Sequence, residues 1–271
     1  MNQIDLSVII VNYNGLKYFK ECFDSLYDKL SGISFEIIVI DNNSPDDSCN
    51  YIRRNYPDVV LIDSKINYGF GKGNNEAVKR AKGEYLLLIN NDTILLDSLV
   101  PVFNFVKENK EVGAAGIKML DGNKNYLPSV GRFPAFDGML QIKKLNEMGE
   151  EFRTGNFSKE TYDVDWITGS LIIMPKKVYD EIGGFDEDYF MYVEDVDFGK
   201  KIALKGYRRV FMPQYSYVHF VGFNKSKNPL LIKGYKIYLS KHTTGFNKMK
   251  LLFALNINAT VKKIKSALNI D

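Results

Sequence analysis

The amino-acid sequence predicts an α/β fold, in which helices flank a wrapped sheet of largely parallel strands. The first observation is that strand-like segments alternate with segments of helical periodicity across short links, as in consecutive β-α-β units. The second is that the strand segments are unbroken apolar runs, which is the composition of parallel strands buried on both faces. The 271 residues, 45% hydrophobic and 25% charged, are enough for one such domain with an appendage.

Each element is predicted from its own local pattern. Apolar, often β-branched runs that end in polar or glycine-containing turns predict four strands, at 6–14, 35–41, 59–64 and 84–92. A helix is predicted at 16–30, because its apolar side chains recur at helical spacing and can share one face. Further helices are predicted at 49–56, with Asp46 or Asp47 as N-cap, and at 71–83, ending in a glycine.

The second half of the sequence continues the alternation after an interruption. Residues 121–161 show no clear periodicity and are predicted to form an irregular excursion. Around it we predict a helix at 98–112, a strand at 113–120, a strand at 165–174, a helix at 176–182, a loop at 183–191, a helix at 194–205 and a strand at 207–212. No linker interrupts this part of the chain, so residues 1–223 are predicted to form one domain.

The C-terminal residues 224–271 differ from the rest of the chain in charge. They contain ten lysines and one acid, a net charge near +9, whereas residues 1–223 have 26 basic and 32 acidic groups. Apolar and aromatic residues recur between the lysines at near-helical spacing, which predicts a basic amphipathic helical region. Such a region can lie on an anionic membrane surface, and the alternative is a helical end packed on the body. Nucleic acid is not expected as a partner, because the tail has no arginine and the body is acidic.

The composition also indicates a compartment. Two cysteines, Cys22 and Cys49, do not make a disulfide framework, so a reducing compartment fits best. The sequence shows no signal-peptide pattern and no apolar stretch long enough to span a bilayer. We therefore expect a soluble cytoplasmic protein, with peripheral contact to the inner face of the cell membrane if the tail binds lipid.

Polar side chains collect where three of the predicted strands end. They are Asn12 and Asn14 after the first strand, Asp41, Asn42 and Asn43 after the second, and Asn90, Asn91 and Asp92 after the fourth. In wrapped parallel sheets, ligands bind beyond the carboxyl ends of the strands. Each cluster alone is typical of a turn, since Asn and Asp favour turns, but three clusters on one sheet edge favour a ligand site.

The segment NYGFGKGNN, residues 67–75, places three glycines next to the third predicted helix. Glycines let the backbone approach a ligand, and the N–H groups at a helix start attract anions. The glycine spacing matches neither G-x-G-x-x-G nor the P-loop, which counts against a dehydrogenase and a kinase-like phosphotransferase. A plain turn is the alternative for this segment.

Further candidates lie late in the sequence. The segment YVEDVDFGKK places Glu194, Asp195 and Asp197 at a predicted helix start. Acids there stabilise the helix dipole, but neighbouring carboxylates also raise one another's pKa, which suits a general base. His219 lies in the aromatic stretch YSYVHFVGF, where a histidine is either a core residue or a metal ligand. His242, in the tail, is given no role.

Together these motifs resemble glycosyltransferase family 2, whose members transfer sugars from nucleotide-sugar donors with inversion. The resemblance spans most of residues 6–219, in family order, through SVIIVNYNG, EIIVIDNNSPDDS, NYGFGKGNNEAVKRAKGEYLLLINND, WITGSLIIMP, GGFDEDYFMYVEDVDFGKK and VH. The residues in these motifs are most similar to those of the bacterial rhamnosyltransferase-like subgroup, which builds O-antigens, capsules and cell-wall polymers. The resemblance implies the GT-A fold, a Rossmann-like wrapped mixed sheet flanked by helices.

The resemblance also implies roles for individual residues. Asp195 matches the family's catalytic base, and Asp92 matches the last acid of its metal-binding D-x-D motif. His219 matches a metal-binding histidine, whereas Asn90 stands where the family usually has the first aspartate, so Mg²⁺ or Mn²⁺ would have fewer protein ligands. Asp41 matches the acid that touches the base or ribose. The residues implied near the nucleotide are Asn12, Asn14, Asp41, Asn43, Asn67, Gly69, Gly71, Asn75, Asn90 and Asn91. Those implied near the donor or acceptor sugar are Trp166, Thr168, Gly169, Asp186, Glu187, Tyr192 and Glu194.

The implied reaction moves a sugar from a nucleoside-diphosphate-sugar, with dTDP-rhamnose favoured, to a glycan or polyprenyl-diphosphate-linked acceptor. UDP-hexoses and UDP-N-acetylhexosamines are the alternative donors. A metal-dependent nucleotidyltransferase would usually show a glycine-rich, basic loop after the first strand, which VNYNGLKYF lacks. A non-catalytic sugar-nucleotide- or polysaccharide-binding protein is disfavoured, because Asp92, Asp195 and the candidate His219 are all retained. A homodimer is left open.

Overall fold

The computed structural model describes residues 3–220 and 227–267, which form a mixed α/β structure. Its strands are β1 (Leu6–Asn12), β2 (Phe35–Asp41), β3 (Val60–Asp63), β4 (Tyr85–Asn90), β5 (Thr93–Leu95), β6 (Val112–Leu120), β7 (Tyr126–Leu127), β8 (Val130–Gly131), β9 (Tyr162–Asp163), β10 (Trp166–Ile167), β11 (Leu171–Pro175) and β12 (Arg208–His219). Its helices are α1 (Phe19–Lys29), α2 (Ser48–Asn55), α3 (Phe70–Val78), α4 (Val100–Glu108), α5 (Phe136–Leu140), α6 (Glu150–Thr154), α7 (Lys176–Glu181), α8 (Glu194–Leu204), α9 (Lys227–His242) and α10 (Gly245–Ala267). Between residues 121 and 161 the elements are all short, as the missing periodicity predicted.

The larger sheet is mixed in strand direction. Its order is β3-β2-β1-β4-β11-β6-β12-β5, and the first four strands are parallel to one another. β11 is antiparallel to its neighbours β4 and β6, and β5 is antiparallel to β12. The apolar runs predicted largely parallel strands, which is correct for β3-β2-β1-β4 and for the β6–β12 pair but not for β11 and β5. Apolar runs report burial on both faces, and β11 is buried on both faces without being parallel to its neighbours.

Both faces of the sheet are covered by helices, because successive side chains of a strand point to opposite sides. On one face Leu6, Val8 and Ile10 belong to a core with residues of α1 and α4. On the other face Ile9 belongs to a core with residues of α3, α7 and α8. Polar side chains of β1, β2 and β4 come mainly where these strands leave the core, at their carboxyl ends.

The strand predicted at 165–174 is split in two. Trp166–Ile167 pairs with β8, outside the main sheet, whereas Leu171–Pro175 pairs with β4 inside it. The break lies at residues 168–170, where the backbone N–H of Thr168 donates to the Ser129 carbonyl at 2.8 Å. A glycine is required at position 169, because a Cβ there would lie 2.6 Å from the Phe70 ring. The break turns this segment toward the carboxyl end of β4.

The strand predicted at 207–212 is longer than expected. Pro213 marked its end in the sequence, but pairing with β6 resumes at Ser216 after a register irregularity that follows Met212. The strand then continues to His219, which lies opposite Thr93 of the antiparallel strand β5. The extension places His219, which lay beyond the predicted strand, at the end of a sheet strand.

The basic C-terminal region forms two helices, α9 and α10, that pack on the rest of the chain. Tyr235 and Leu239 of α9 and Leu255 of α10 are buried in one cluster with Trp166 and Val193. The two C-terminal helices therefore pack on the body of the protein, which is the alternative considered from the sequence. No helix in the described ranges is long and apolar enough to cross a bilayer.

Candidate active site

Three strand ends meet as the sequence predicted. β1 lies between β2 and β4, so that Asn12 is opposite Asp41 in the sheet. The Asn12 amide donates to Asp41 Oδ2 at 2.6 Å and to Ser44 Oγ at 3.1 Å, and the Asn91 amide donates to Asn12 Oδ1. Asp41 Oδ1 accepts the Ser44 backbone N–H at 2.8 Å. These hydrogen bonds hold four polar residues together at the carboxyl edge of the sheet. We call Asn12, Asp41, Ser44 and Asn91 the polar ledge.

Asn14 and Asn43 are exposed turn residues at the same edge. Both have left-handed backbones, with φ of 57° and 61°, a conformation that asparagine adopts more readily than most residues. The Asn14 backbone N–H donates to Ser44 Oγ at 2.9 Å. Their side chains are exposed at the edge where a nucleotide is expected to lie.

The glycine-rich segment is held against two neighbouring parts of the structure. Asn42 donates to the Gly69 carbonyl at 2.9 Å, and the Gly69 N–H donates to Asn67 Oδ1 at 2.9 Å. Gly69 has φ +75°, and a Cβ there would lie 2.2 Å from the Phe190 carbonyl oxygen. A Cβ at Gly71 would lie 2.9 Å from Phe185 Cβ. These two glycines therefore permit close packing of α3 on residues 185–190.

Asp92 and His219 come together through strand register. Thr93 pairs with His219, so Asp92, directly before β5, lies beside the imidazole. His219 Nε2 is 3.1 Å from Asp92 Oδ1 and 3.1 Å from the Asn90 amide nitrogen. Within the described residues, the buried His219 Nδ1 has no hydrogen-bond partner. The predicted metal-binding pair is thus adjacent in space although its members are far apart in sequence.

The separation of Asp92 Oδ1 and His219 Nε2 suits two ligands of one divalent cation. Two ligands about 2.1 Å from an octahedral ion, at right angles, lie about 3.0 Å apart, close to the Asp92–His219 separation of 3.1 Å. Carboxylate oxygen and imidazole nitrogen are both ligands that Mn²⁺ accepts. Residues 3–220 and 227–267 contain no group of three or more acids, histidines and cysteines that could hold a metal. Two protein ligands would leave the other positions to a diphosphate and water.

Asp195 lies in the first turn of α8 and faces a cavity. Its Oδ1 accepts the Val196 N–H at 2.9 Å, and its Oδ2 accepts the Gly169 N–H at 3.4 Å. Burial raises the pKa of Asp195 above the ordinary aspartate value. Burial, together with the Asp195 charge, also raises the pKa of Glu194. A carboxylate with a raised pKa is a stronger base, as the predicted role requires.

The backbone before Asp195 has an unusual conformation. Tyr192 and Val193 both have positive φ, 69° and 73°. Such angles are rare for a β-branched residue and cost of order 1–3 kcal/mol each, so surrounding packing must hold them. Gly234 of α9 lies against Val193, where a Cβ would be 2.7 Å from Val193 Cγ2. The orientation of Glu194 and Asp195 therefore depends on α9.

A cavity of about 580 Å³ connects these groups. The residues predicted for the site that line it are Asn90, Asp92, Trp166, Thr168, Gly169, Tyr192, Glu194, Asp195 and His219. The predicted metal ligands Asp92 and His219, the candidate base and the predicted sugar contacts at 166–169 therefore share one chamber. The residues of the polar ledge, including Asp41, are not part of its wall.

Three predicted contact residues have other partners, and the structure does not support their assignment to a ligand. The Asn75 side chain donates to the Phe185 carbonyl and accepts from the Tyr179 hydroxyl at 2.6 Å. Glu187 is paired with Lys72 at 2.8 Å. Asp186 is paired with Lys241 of α9 at 2.5 Å. None of the three lines the cavity. Asn75 instead ties α3 to the segment that precedes α8.

Several lining residues were missed by the sequence analysis. Leu231 and Tyr235 come from α9, which had been assigned outside the catalytic domain. Leu127, Ile142 and Asn146 come from the excursion. No motif marks these positions, because apolar residues in irregular or tail segments look the same whether they line a ligand cavity or fill a core.

The sequence of the chain is similar to proteins of described activity. A sequence model for glycosyl transferase family 2 matches residues 7–183. The N-acetylglucosaminyl-diphospho-decaprenol L-rhamnosyltransferase of Mycobacterium tuberculosis is 24% identical over 211 residues, which cover 71% of this chain and 69% of that protein. Rhamnosyltransferase WbbL of Escherichia coli is 27% identical over 224 residues, which cover 79% of this chain and 82% of that protein. Both similarities extend over most of each protein.

The fold is similar to that of solved glycosyltransferases. The mannosyltransferase PcManGT from Pyrobaculum calidifontis, solved in complex with GDP-Man and Mn²⁺, superposes with a TM-score of 0.63. The match has 19% sequence identity and covers 98% of this chain and 76% of that one. The GT-A fold implied by the sequence resemblance is thereby confirmed.

Proposed function

The chain belongs to glycosyltransferase family 2, and from that premise we propose that it transfers L-rhamnose from dTDP-rhamnose to a lipid-linked glycan acceptor, with inversion. The observation that carries the proposal is the shared chamber, into which Asp195 and the Asp92–His219 pair both open. A base and a metal-binding pair beside one cavity are what a direct displacement at a sugar carbon requires.

The donor is assigned to the carboxyl edge of the sheet. A nucleoside would lie on the polar ledge, beside Asp41 and Asn12. The chamber beside Asp92 would hold the diphosphate and sugar. Mg²⁺ or Mn²⁺, held by Asp92 and His219, would offset the negative charge that grows on the departing diphosphate. Asn91 and Asp41 both hold Asn12, so the ledge is rigid before a nucleotide arrives.

Asp195 is assigned as the general base. The acceptor hydroxyl attacks the anomeric carbon, a new C–O bond forms, and the bond to the diphosphate breaks with its electron pair on the diphosphate oxygen. The hydroxyl proton passes to the Asp195 carboxylate, which the Gly169 and Val196 N–H groups orient. Attack from the face opposite the leaving group inverts the anomeric configuration.

The rhamnose donor and the lipid-linked acceptor are supported by the relatives. Two rhamnosyltransferases resemble the chain over most of their length, and the name of one specifies a diphospho-decaprenol-linked acceptor. An acceptor of that class is anchored in a membrane. We therefore also propose that the enzyme acts at the inner face of the cell membrane, where its lysine-rich C-terminal helices contact anionic lipid.

A donor panel tests this function. Thermal unfolding is measured with dTDP-rhamnose, UDP-glucose, UDP-N-acetylglucosamine or GDP-mannose, each with Mn²⁺. A donor at about a hundred times its dissociation constant adds roughly 2.7 kcal/mol of stability, and dTDP-rhamnose is expected to be that donor. Stabilisation by a UDP-sugar alone would instead favour the alternative donors, and stabilisation by none would overturn the proposal.

Release of nucleoside diphosphate in the presence of a polyprenyl-diphosphate-linked sugar then separates an enzyme from a binding protein. Asp195→Asn is expected to lower the rate by about 10²–10⁴-fold while donor binding persists, because only the proton acceptor is lost. Asp188→Asn, a change at an exposed acid outside the chamber, is the matched control and keeps the rate. Donor binding without any release by the unchanged chain would identify a non-catalytic binding protein.

A further inference from the structure

A second cavity lies between the excursion and the last helix. It measures about 650 Å³, within the range of small-molecule sites, and we call it the α10 groove. Its lining residues are Leu140, Gln141, Ile142, Lys143, Ile257, Asn258, Val261 and Lys262. Asn258 donates to the Leu140 carbonyl at 2.6 Å, which fixes α10 to the end of α5. The groove therefore has walls from two elements that are bonded to each other.

The α10 groove adjoins the catalytic chamber. Ile142 lines both cavities, and Leu127, Pro128 and Asn146 also line the chamber. On the other side, Ile257 and Val261 expose their side chains. A single elongated ligand can therefore extend from the exposed face of α10, past Ile142, toward Asp195.

The lining has a definite chemical character. Leu140, Ile142, Ile257 and Val261 provide apolar surface, and the only charged side chains among the described lining residues are the two lysines. Exposed apolar surface of this kind marks an interaction site more often than a random feature of a monomer. Lys143 directly follows Ile142, so the matching ligand is apolar along its length and negatively charged beside Ile142, because lysines attract phosphate.

We propose that the α10 groove binds the isoprenoid chain of a polyprenyl-diphosphate acceptor and thereby delivers its diphosphate-linked sugar to the chamber. The proposal rests on the function proposed above and adds where the lipid lies. It favours this occupant over a second copy of the chain, because Ile142 lines both the groove and the chamber and Lys143 beside it complements a diphosphate. A polyprenyl chain also enters from a membrane, which the exposed side chains of α10 can contact.

Binding of two isoprenoid phosphates in detergent micelles tests the proposal. The probes are undecaprenyl phosphate and geranyl phosphate, which share a phosphate and differ in chain length. Loss of each methylene from apolar contact lowers affinity roughly fourfold. Ile257→Asp and Val261→Asp should therefore each lower the affinity for undecaprenyl phosphate by at least about tenfold. The affinity for geranyl phosphate, whose chain is too short to fill the groove from the chamber, should fall by less than about threefold in either variant.

Leu204→Asp is the control, because Leu204 is an exposed apolar residue of α8 that does not line the groove. It should leave the affinity for both probes unchanged, and thermal unfolding verifies that all three variants fold. Equal losses for both probes, or an equal loss in the control, would overturn the proposal.

Photo-crosslinking provides a readout that does not depend on transfer. A benzophenone-bearing isoprenoid diphosphate should label peptides containing residues 140–143 and 257–262, and Ile257→Asp should remove that label. Labelling confined to other peptides, or a dimer in solution that Ile257→Asp dissociates, would overturn the assignment of the groove. Neither result changes the outcome of the donor panel. Failure of the groove assignment can therefore be distinguished from failure of the proposed function.

Discussion

Asp195 illustrates how a single side chain acquires a pH dependence from its position. Its pKa is raised by burial, and as a base it must be ionised to accept a proton. Activity should therefore fall as the pH drops through this raised pKa. We expect the acid limb of the kcat/KM profile to lie clearly above about pH 3.9, the ordinary value for aspartate.

The measurement is a pH profile of kcat/KM, with circular dichroism at each pH to exclude acid unfolding. Glu187→Gln, a change at an exposed acid paired with Lys72, is the control and should leave the acid limb in place. An acid limb near the ordinary aspartate value would contradict the prediction, because it would mean that water in the chamber fully solvates the carboxylate.

The sequence motifs single out three residues that the structure brings to one cavity. Asp92, Asp195 and His219 line one chamber, and their roles in metal binding and proton transfer stay predictions. Asp186 and Glu187 were predicted as sugar contacts but pair with lysines instead. Their lysine partners lie far away in sequence, so a motif that covers residues 184–199 carries no information about them.

At the scale of elements, α8 and α9 are joined by a buried pair. Asp197 is 1% exposed, and its Oδ1 accepts from His242 Nε2 at 2.6 Å and from the Tyr189 hydroxyl at 3.3 Å. Next to this pair, Lys241 contacts Asp186 and Asp188. The end of α9 is thus attached both to the helix that carries Asp195 and to the loop before it.

We predict that His242→Ala destabilises the protein by roughly 1–3 kcal/mol, because it leaves a buried acceptor without its shortest hydrogen bond. Thermal unfolding should detect a decrease of several degrees, since each kcal/mol shifts the midpoint by roughly 2–4 °C in a chain of this size. The rate should fall as well, because α9 also supports Val193 and lines the chamber.

Lys241→Ala is the matched control for that change. Its ion pairs are partly exposed, so its loss should cost at most about 1 kcal/mol. A similar effect of both variants would show that the Asp197–His242 contact has no special role. Asp197→Asn combined with His242→Ala should recover part of the stability, because an amide is less costly to bury than a carboxylate.

The elements themselves were predictable to different degrees. The strands β1, β2 and β4 and the helix α8 followed from periodicity and turn residues. The division of 165–174 did not, because Trp166–Ile167 and Leu171–Pro175 are equally apolar and only their pairing partners differ. The extension of β12 beyond Pro213 depends on β5 and β6, which local sequence does not report.

At the scale of the whole molecule, α10 presents an apolar stripe that the body does not cover. The stripe consists of Phe246, Met249, Phe253, Ile257, Val261 and Ile264, and Phe246 is 79% and Phe253 64% exposed. Lysines of the same helix, among them Lys248 and Lys250, add positive charge. The opposite face of α10 is buried through Leu251 and Leu255. An amphipathic helix held in this way suits the surface of an anionic membrane.

We predict that replacing Phe246, Met249 and Phe253 together by serine reduces binding to phosphatidylglycerol-containing vesicles by at least about tenfold, through loss of buried apolar area. Co-sedimentation measures the effect, and neutral vesicles should bind the unchanged chain more weakly, because each lysine near an anionic surface contributes about 1 kcal/mol. Point substitutions are preferable to removing residues 224–271, because Leu231 and Tyr235 line the chamber.

Leu204→Ser is the control for the triple variant. Leu204 is 67% exposed on α8, away from the stripe, and its replacement should not alter vesicle binding. If the triple variant and the unchanged chain sediment equally with anionic vesicles, α10 is not the membrane contact. A change in oligomeric state in the triple variant, measured by light scattering, would assign the stripe to a second copy of the chain.

The pairing of Thr93 with His219 limits how this enzyme can vary over evolution. Side chains alternate along a strand, so a one-residue slip of β5 against β12 would turn the histidine to the other face of the sheet. The separation of Asp92 and His219 can therefore change only in discrete steps. Single-residue insertions or deletions between Asn90 and Thr93 should be eliminated by selection, whereas the loop that follows β5 and the loop that precedes β12 remain free to change in length.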